Sequence, residues 1–302
     1  MAKFAIIGDS TCDLTTEQRQ EHNIDYCRMT VSWTDKDKKE HEIHADLDWE
    51  EISVHDYYNV LRDGYRIFTQ QVTEQEFEEV FKRHLDKGED ILYISCSSGL
   101  SASIRAAEKL VKDKLQNEYP DRKFYLVDSL LSAMGQGLML LKADEMRNAG
   151  ESVENVAKWI EENRLRFNQV ATVETLDYLK RAGRVKASSA FFGNIFGVKP
   201  MLISDAKGVN YAVEKAKGRR NALLRAVEMV KEKVENPENQ ICYVTHAEAS
   251  DMDVELIVSK LKAEIPFKEI RIQFLGPIIG ASTGPGTFGI YFFGKEELRV
   301  GE

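Results

Sequence analysis

Short apolar runs alternate with amphipathic stretches along the first half of the chain. The runs at 3–9, 90–97 and 123–129 are rich in aliphatic and β-branched residues, and each leads into a polar stretch with helical periodicity. Strands and helices that alternate in this way are typical of βαβ units, which build a parallel sheet. The pattern therefore predicts an α/β domain with a parallel sheet over residues 1–165.

The second half has a different order of elements. After a predicted helix at 153–167, six β-rich runs follow, and several of them are adjacent without a helix between them. The runs are NQVATVE, KPMLISD, GVNYAVEK, QICYVTHA, EIRIQFLG and GIYFFGK. This is an α+β pattern, and it predicts a second domain over residues 166–302.

Composition excludes several classes of protein. The chain of 302 residues has a formal net charge of -9, whereas a protein that binds nucleic acid normally presents a basic face. Its longest apolar runs, FAIIG and AFFGNIFGV, are far shorter than the ~20 residues that span a bilayer. The N-terminus has no small-residue cleavage site, and the four cysteines are scattered as in a reduced cytosolic protein. We expect a cytoplasmic protein without membrane insertion or a nucleic-acid partner.

A dinucleotide-binding fingerprint is spelled near the C-terminus. Gly284, Gly286 and Gly289 have the G-x-G-x-x-G spacing. That fingerprint must follow a first strand and open a helix, whereas here the β-rich run IYFFG follows it. No nicotinamide or flavin cofactor is expected.

The same region contains the G-x-S-x-G spacing of a hydrolase nucleophile elbow, at 280–284. A hydrolase of that type needs a helix after the serine and a histidine later in the chain, but no histidine follows His246. A catalytic role for Ser282 is therefore not predicted.

A third motif, H-E-I-H at 41–44, resembles a zinc-binding sequence. Its two histidines are three residues apart rather than four, and the surrounding pattern is extended rather than helical. A solvated polar segment is the preferred interpretation, and no metal is expected.

Small hydroxyl residues follow three of the predicted strands, at 9–13, 95–101 and 128–129. The carboxyl ends of parallel strands meet at one sheet edge, where ligands bind. One interpretation is that these residues only cap helices. The other is that they form a seat for an anionic head group, because a turn into a helix presents free N–H groups and serine hydroxyls.

Eight short motifs, in this order along the chain, resemble the DegV family. They are D-S-T-C-D-L at 9–14, S-S-G-L-S at 97–101, V-D-S at 127–129, T-L-D-Y-L-K-R-A-G-R-V at 175–185, V-K-P at 198–200, E-K-A-K-G-R at 214–219, T-H-A at 245–247 and G-P-I-I-G-A-S-T-G-P-G at 276–286. The resemblance implies a Rossmann-like N-terminal domain and an α+β C-terminal domain with one long-chain fatty acid buried between them. It also implies a separate fatty acid kinase subunit as partner.

The resemblance implies site residues position by position. Thr69 in F-T-Q-Q and Ser101 match the family's carboxylate ligands, and Ser282 would be an auxiliary donor. Arg184 matches an arginine at the head-group end. Lys217 stands where many relatives have arginine at the kinase-facing surface.

Four positions depart from the family's pattern. Gln70 stands where serine is usual, Ala102 replaces glycine, and Ser103 replaces threonine. Ser282 replaces a histidine that would help to bind and polarise the carboxylate. This last departure leaves the lipid-binding prediction in place. It affects how efficiently the lipid would be handed over to a kinase.

The apolar segment at 190–198 is a candidate wall of the acyl-chain tunnel. Its side chains are Phe191, Phe192, Ile195 and Phe196. An aromatic stripe of this kind is as readily part of an ordinary core.

Two functions remain open from the sequence. The first is a non-catalytic carrier that presents a fatty acid to a kinase, and the second is an enzyme that acts on a small phosphorylated or carboxylated metabolite at the same sheet edge. The resemblance favours the carrier, and no nucleophile–base pair supports the enzyme.

Overall fold

The computed structural model describes residues 3–186 and 197–296. These residues form two compact units that are not continuous in the chain. The first unit takes the described residues within Met1–Glu51, Ile67–Arg164 and Gly276–Ile278. The second takes those within Ile52–Arg66, Leu165–Leu275 and Ile279–Glu302.

The first unit contains a sheet of four parallel strands in the order β2-β1-β6-β7. The strands are β1 (Phe4–Asp9), β2 (Ile24–Cys27), β6 (Asp90–Ser95) and β7 (Phe124–Asp128). Every residue of β1 and β6 is buried, as the continuous apolar runs predict for a parallel sheet covered on both faces. The predicted α/β fold of this region is confirmed.

The helices of this unit lie between these strands in the chain or follow the last of them. They are α1 (Thr16–Glu21), α3 (Glu74–Leu85), α4 (Ser103–Leu110), α5 (Gln116–Glu118), α6 (Met134–Asn148) and α7 (Val153–Asn163). A π-helical turn at Val111–Leu115 joins α4 to α5. The start of α1 is fixed by a capping box, in which Thr15 accepts from the Gln18 N–H and the Gln18 side chain accepts from the Thr15 N–H.

A small antiparallel sheet in the order β4-β3-β5 completes the first unit. Its strands are β3 (Thr30–Thr34), β4 (Glu40–His44) and β5 (Phe68–Gln70). β5 has only three residues, and the pairing of Thr69 with Val31 of β3 places it in the sheet.

The second unit is built on a mixed sheet of seven strands in the order β13-β12-β14-β8-β10-β11-β9. The strands are β8 (Phe167–Thr172), β9 (Val185–Lys186), β10 (Val198–Ser204), β11 (Asn210–Lys217), β12 (Ile241–His246), β13 (Glu269–Phe274) and β14 (Phe288–Phe293). The β12–β13 and β9–β11 pairs are parallel and the other pairs are antiparallel. The predicted α+β character of this half is confirmed.

The core of the second unit joins this sheet to its helices. The helices of the unit are α2 (Val54–Arg62), α8 (Asp177–Ala182), α9 (Arg219–Lys233) and α10 (Asp251–Glu264), and α11 (Pro277–Thr283) lies mostly within it. Phe288 and Ile290 of β14 share one buried cluster with Leu223 of α9 and Leu261 of α10. Burial of this apolar surface stabilises the unit.

Glycine allows α6 to approach the loop after β1 closely. A Cβ atom at Gly137 would lie 2.6 Å from the carbonyl oxygen of Cys12, which is a backbone atom. For a Cβ atom at Gly135, in the same helix, the three nearest atoms all belong to the Leu131 side chain, at 3.0 Å or more. At Gly137 the neighbour is backbone and cannot easily make room for a methyl group, whereas at Gly135 the neighbour is a side chain that can rotate away.

We expect Gly137→Ala to lower the free energy of unfolding by about 1–3 kcal/mol, because the backbone must shift to admit the methyl group. Gly135→Ala is the matched control, since a Leu131 rotation admits the methyl group and alanine favours the helix by about 1 kcal/mol over glycine. Urea unfolding of both variants measures the difference. Equal stability of the two variants would contradict the proposed close approach.

Candidate functional site

The order of the first sheet identifies the edge at which a ligand would bind. Chain order reverses around β1, because β2 lies on one side of it and β6 on the other. Ligands of open α/β sheets bind outside the carboxyl ends of the strands at such a switch point. Here that position is formed by the segments that follow Asp9 and Ser95.

A buried aspartate joins these two segments. The Oδ2 atom of Asp9 accepts hydrogen bonds from the Tyr93 hydroxyl and from the Cys96 N–H, both at 2.9 Å. Its Oδ1 atom accepts from the Thr11 N–H at 3.0 Å. Asp9 is fully buried, so these donors satisfy a carboxylate that water cannot reach.

The other polar groups of the segment at 9–13 are also used within the fold. The Ser10 hydroxyl accepts from the Met29 N–H at 2.9 Å. The Thr11 hydroxyl lies 2.6 Å from Oε1 of Gln136, whose amide donates to the Ile94 carbonyl at 2.9 Å. This segment holds the strand ends and α6 together, and it offers no exposed hydroxyl to a ligand.

The segment at 128–129 has a similar structural role. Oδ1 of Asp128 accepts from the Ser98 and Leu130 N–H groups, both at 3.0 Å. The buried Ser129 hydroxyl accepts from the Leu131 N–H at 3.0 Å. The hydroxyls of the first and third segments are therefore used in hydrogen bonds within the fold, but not as caps of the helices that follow.

The turn after β6 is the accessible part of this edge. Ser97 is buried and its hydroxyl accepts from the Gly99 N–H at 3.1 Å, whereas Gly99 is exposed and Ser101 is half-buried. The helix that follows begins at Ser103, and its cap residue Ala102 makes no side-chain cap hydrogen bond. The N–H groups of the first turn of α4 thus lie beside Ser101.

Ser101 and Thr69 lie on segments that a third residue connects. The Ser101 hydroxyl oxygen lies 2.9 Å from the Ser103 hydroxyl oxygen and accepts from the Ser103 N–H at 3.3 Å. The Ser103 hydroxyl in turn accepts from the N–H of Val72 at 3.4 Å, three residues beyond Thr69. Sequence reasoning noted Ser103 only as a departure from the family pattern and did not identify this contact.

The remaining predicted site residues lie in the second unit. Ser282 is half-buried in α11, and its hydroxyl has no hydrogen-bond partner among the described residues of that unit. Arg184 is exposed, and its guanidinium donates to the carbonyl of Ala182. Lys217 is exposed at the end of β11, and its carbonyl accepts from the Asn221 amide at 2.8 Å. The predicted tunnel residues lie outside the described part of the chain, namely Phe191, Phe192, Ile195 and Phe196.

Lys199 and Arg219, charged residues of two of the quoted motifs, meet at Glu174. Arg219 lies 3.0 Å from the Glu174 carboxylate, and Lys199 forms an ion pair with the same carboxylate. Arg219 also donates to Asp253 at 2.9 Å and to the carbonyl of Gly286 at 2.5 Å. The network fixes the G-P-G turn before β14, and that turn leads into a strand, as the sequence predicts, rather than into a helix that would bind a dinucleotide.

The two histidines of H-E-I-H lie on β4, in the predicted extended conformation. Nε2 of His41 lies 2.8 Å from Asp35, and Nδ1 of His44 lies 3.0 Å from Glu51. Across residues 3–186 and 197–296, no group of three or more His, Cys, Asp or Glu side chains could hold a metal ion. Within the same ranges, no helix has the length and apolar character needed to cross a membrane.

Asp13, which follows β1 at this edge, is a buried carboxyl with a raised pKa. Burial raises the pKa of Asp13 well above its usual value, the hydrogen bond from the Gly276 N–H at 3.0 Å opposes the rise, and the Asp9 charge adds to it. Asp13 also has φ of +56°, in the left-handed region that aspartate and asparagine tolerate better than most residues.

Comparison with known proteins gives consistent matches across the chain. The family model described as uncharacterised protein, DegV family, matches residues 3–295. A DegV domain-containing protein of Clostridium perfringens is 31% identical over 294 residues, which are 97% of this chain and 98% of that protein.

Solved structures match over the same length. A DegV family protein from Thermus thermophilus, solved in work on its fatty acid binding, has a TM-score of 0.81 and 27% identity, over 97% of this chain and 100% of that one. DegV from Bacillus subtilis, described as a fatty acid binding protein, has a TM-score of 0.78 and 26% identity, over 98% of this chain and 100% of that one.

We expect Asp13→Asn to stabilise the protein increasingly as the pH rises from 5 to 8. Because its pKa is raised, folded Asp13 keeps its proton at a pH where the unfolded chain has lost it, so the native protein loses stability as the pH rises above about 4. Asparagine does not ionise, tolerates the same φ and keeps an oxygen for the Gly276 N–H. Denaturant unfolding at several pH values measures the effect, and a difference between the variants that stays constant with pH would contradict it.

Proposed function

The chain belongs to the DegV family, and from this premise we propose that it is a carrier that binds one long-chain fatty acid in a buried pocket. The observation that carries the proposal is the full-length match to two solved relatives that are described by their fatty acid binding. The ligand carboxylate would be held by hydroxyl groups and the acyl chain by apolar side chains.

The turn that contains Ser101 has the chemistry of a carboxylate site. Ser101 and Thr69 are half-buried hydroxyl residues, and a neutral hydroxyl donates to a carboxylate without bringing a second charge into the pocket. The uncapped first turn of α4 adds N–H groups and the positive end of a helix dipole. In the same proposal Ser282 is an auxiliary donor, with a hydroxyl that is available in its own unit.

Most of the affinity in this proposal comes from the acyl chain. Each buried methylene contributes about 0.8 kcal/mol, so a long chain gains on the order of 10 kcal/mol before the costs of binding. The segment with Phe191, Phe192, Ile195 and Phe196 remains the predicted tunnel wall. A head-group site of two or three hydroxyls is sufficient when the chain supplies so much of the free energy.

The proposal assigns no chemistry to this chain. We infer that it presents the carboxylate to a separate fatty acid kinase subunit in the cytoplasm and needs no cofactor of its own. Arg184 and Lys217 are exposed cations, as residues that face a partner must be before the partner binds. Ser282 lacks the ionisable ring of histidine, so phosphoryl transfer to the carboxylate would receive less polarisation from this position.

The first test is ligand occupancy. Protein purified from cells should carry one fatty acid per chain, which native mass spectrometry detects and solvent extraction identifies. Apo protein that also fails to take up added oleate would refute the proposal.

A second test removes one hydroxyl. We expect Ser101→Ala to weaken oleate binding by roughly 1–3 kcal/mol, because a buried carboxylate then lacks a donor. Ser98→Ala is the matched control, since Ser98 is half-buried on the same turn and is not assigned to the head group. Displacement titration compares the variants, and equal affinities would show that the head group lies elsewhere.

A third test separates lipid binding from handover. With a fatty acid kinase subunit and ATP supplied, Arg184→Ala and Lys217→Ala should slow acyl phosphate formation and leave oleate affinity unchanged. Lys262→Ala, an exposed lysine variant on α10, serves as the control. A rate that none of these substitutions changes would remove both residues from the partner surface.

A further inference from the structure

Ser103 is a buried hydroxyl residue at the first position of α4. It is fully buried, whereas Ser101, two residues earlier, is half-buried. A buried hydroxyl must find hydrogen-bond partners within the protein, because water does not reach it. Its partners are therefore informative about its role.

The Ser103 hydroxyl contacts the Ser101 hydroxyl and can therefore influence where the Ser101 proton points. A serine hydroxyl donates one hydrogen bond and accepts up to two. The Ser103 oxygen accepts from the Val72 N–H at 3.4 Å and lies 2.9 Å from the Ser101 oxygen, a contact in which either hydroxyl can donate. The Ser101 oxygen also accepts from the Ser103 N–H at 3.3 Å, so when Ser103 donates to Ser101 the acceptor sites of Ser101 are filled and its own proton points away from Ser103.

The opposite orientation is incompatible with an anionic ligand. If Ser101 donated to Ser103, it would present only an oxygen lone pair to the pocket, and a carboxylate cannot donate to it. A bound carboxylate therefore requires the arrangement in which Ser103 donates to Ser101. Hydrogen bonds arranged in such a chain polarise and strengthen one another.

We propose that Ser103 is a positioning residue for the fatty acid carboxylate, which directs the Ser101 hydroxyl proton at the bound head group and ties the turn to the segment that follows Thr69. The inference rests on the proposed function and adds to it a reason why the site prefers an anion. A fatty alcohol can donate as well as accept, so it does not need this orientation of Ser101.

The experiment is a double-mutant cycle on Ser101 and Ser103, read with two ligands of equal chain length, oleate and oleyl alcohol. Ser103→Ala should weaken oleate binding roughly three- to tenfold, the equivalent of one ordinary hydrogen bond, and should change oleyl alcohol binding little. In the Ser101→Ala background, Ser103→Ala should weaken oleate binding no further. Ser103→Thr keeps the hydroxyl and should retain wild-type affinity.

Two further results distinguish the possible failures. Equal losses for both ligands, or additive losses in the cycle, would mean that Ser103 only supports the pocket, and would overturn the inference while the carrier function stands. Oleate binding that survives Ser101→Ala unchanged would overturn the head-group assignment itself, and the inference with it. Because Ser103→Ala leaves the Val72 N–H without its acceptor, Ser103→Cys provides a second variant that fills the site with a weak donor, and it should show the same selective loss for oleate.

Discussion

The Asp9 carboxylate is the interaction on which the candidate site depends. It lies at the end of β1 and accepts from Tyr93 within β6 and from the Cys96 N–H just beyond it, so it joins the two central strands at their carboxyl ends. A buried carboxylate without donors would cost several kcal/mol, so the geometry of these donors is tightly constrained. The turn that leads to Ser101 begins at Cys96, and its position is set by this bond.

The strand pattern could be read from the sequence, because β1, β6 and β7 are apolar runs of the right length for buried parallel strands. The sequence pattern also predicted that the hydroxyl segments lie at one sheet edge. It could not separate Ser10 and Ser129, whose hydroxyls are buried and bonded within the fold, from Ser101, which remains accessible. That distinction depends on neighbours far away in the chain, such as Met29 for Ser10, and no local pattern encodes it.

Short elements were missed for a related reason. β5 has three residues and no alternation that could reveal it, and its conformation comes from pairing with β3. The turn before α4 contains Ser101 and leads into Ser103, and either serine could cap a helix by residue type. In the structure the helix begins at Ser103, and Ser101 remains in the turn with its hydroxyl beside the helix. The residue missed by sequence reasoning, Ser103, is the one that the tertiary fold buries.

A sparse polar site would suit the proposed ligand, which is mostly hydrocarbon. If methylene burial supplies most of the binding free energy, as proposed, each hydroxyl adds only about 1 kcal/mol, and losing one donor shifts affinity without abolishing binding. Under the same proposal, Ser282 can replace a histidine in holding the carboxylate, although it would polarise that carboxylate less for phosphoryl transfer. The geometry of the head-group contacts, more than their small free energies, should therefore decide which ligand binds. In the proposed site, the pair formed by Ser101 and the buried Ser103 sets that geometry.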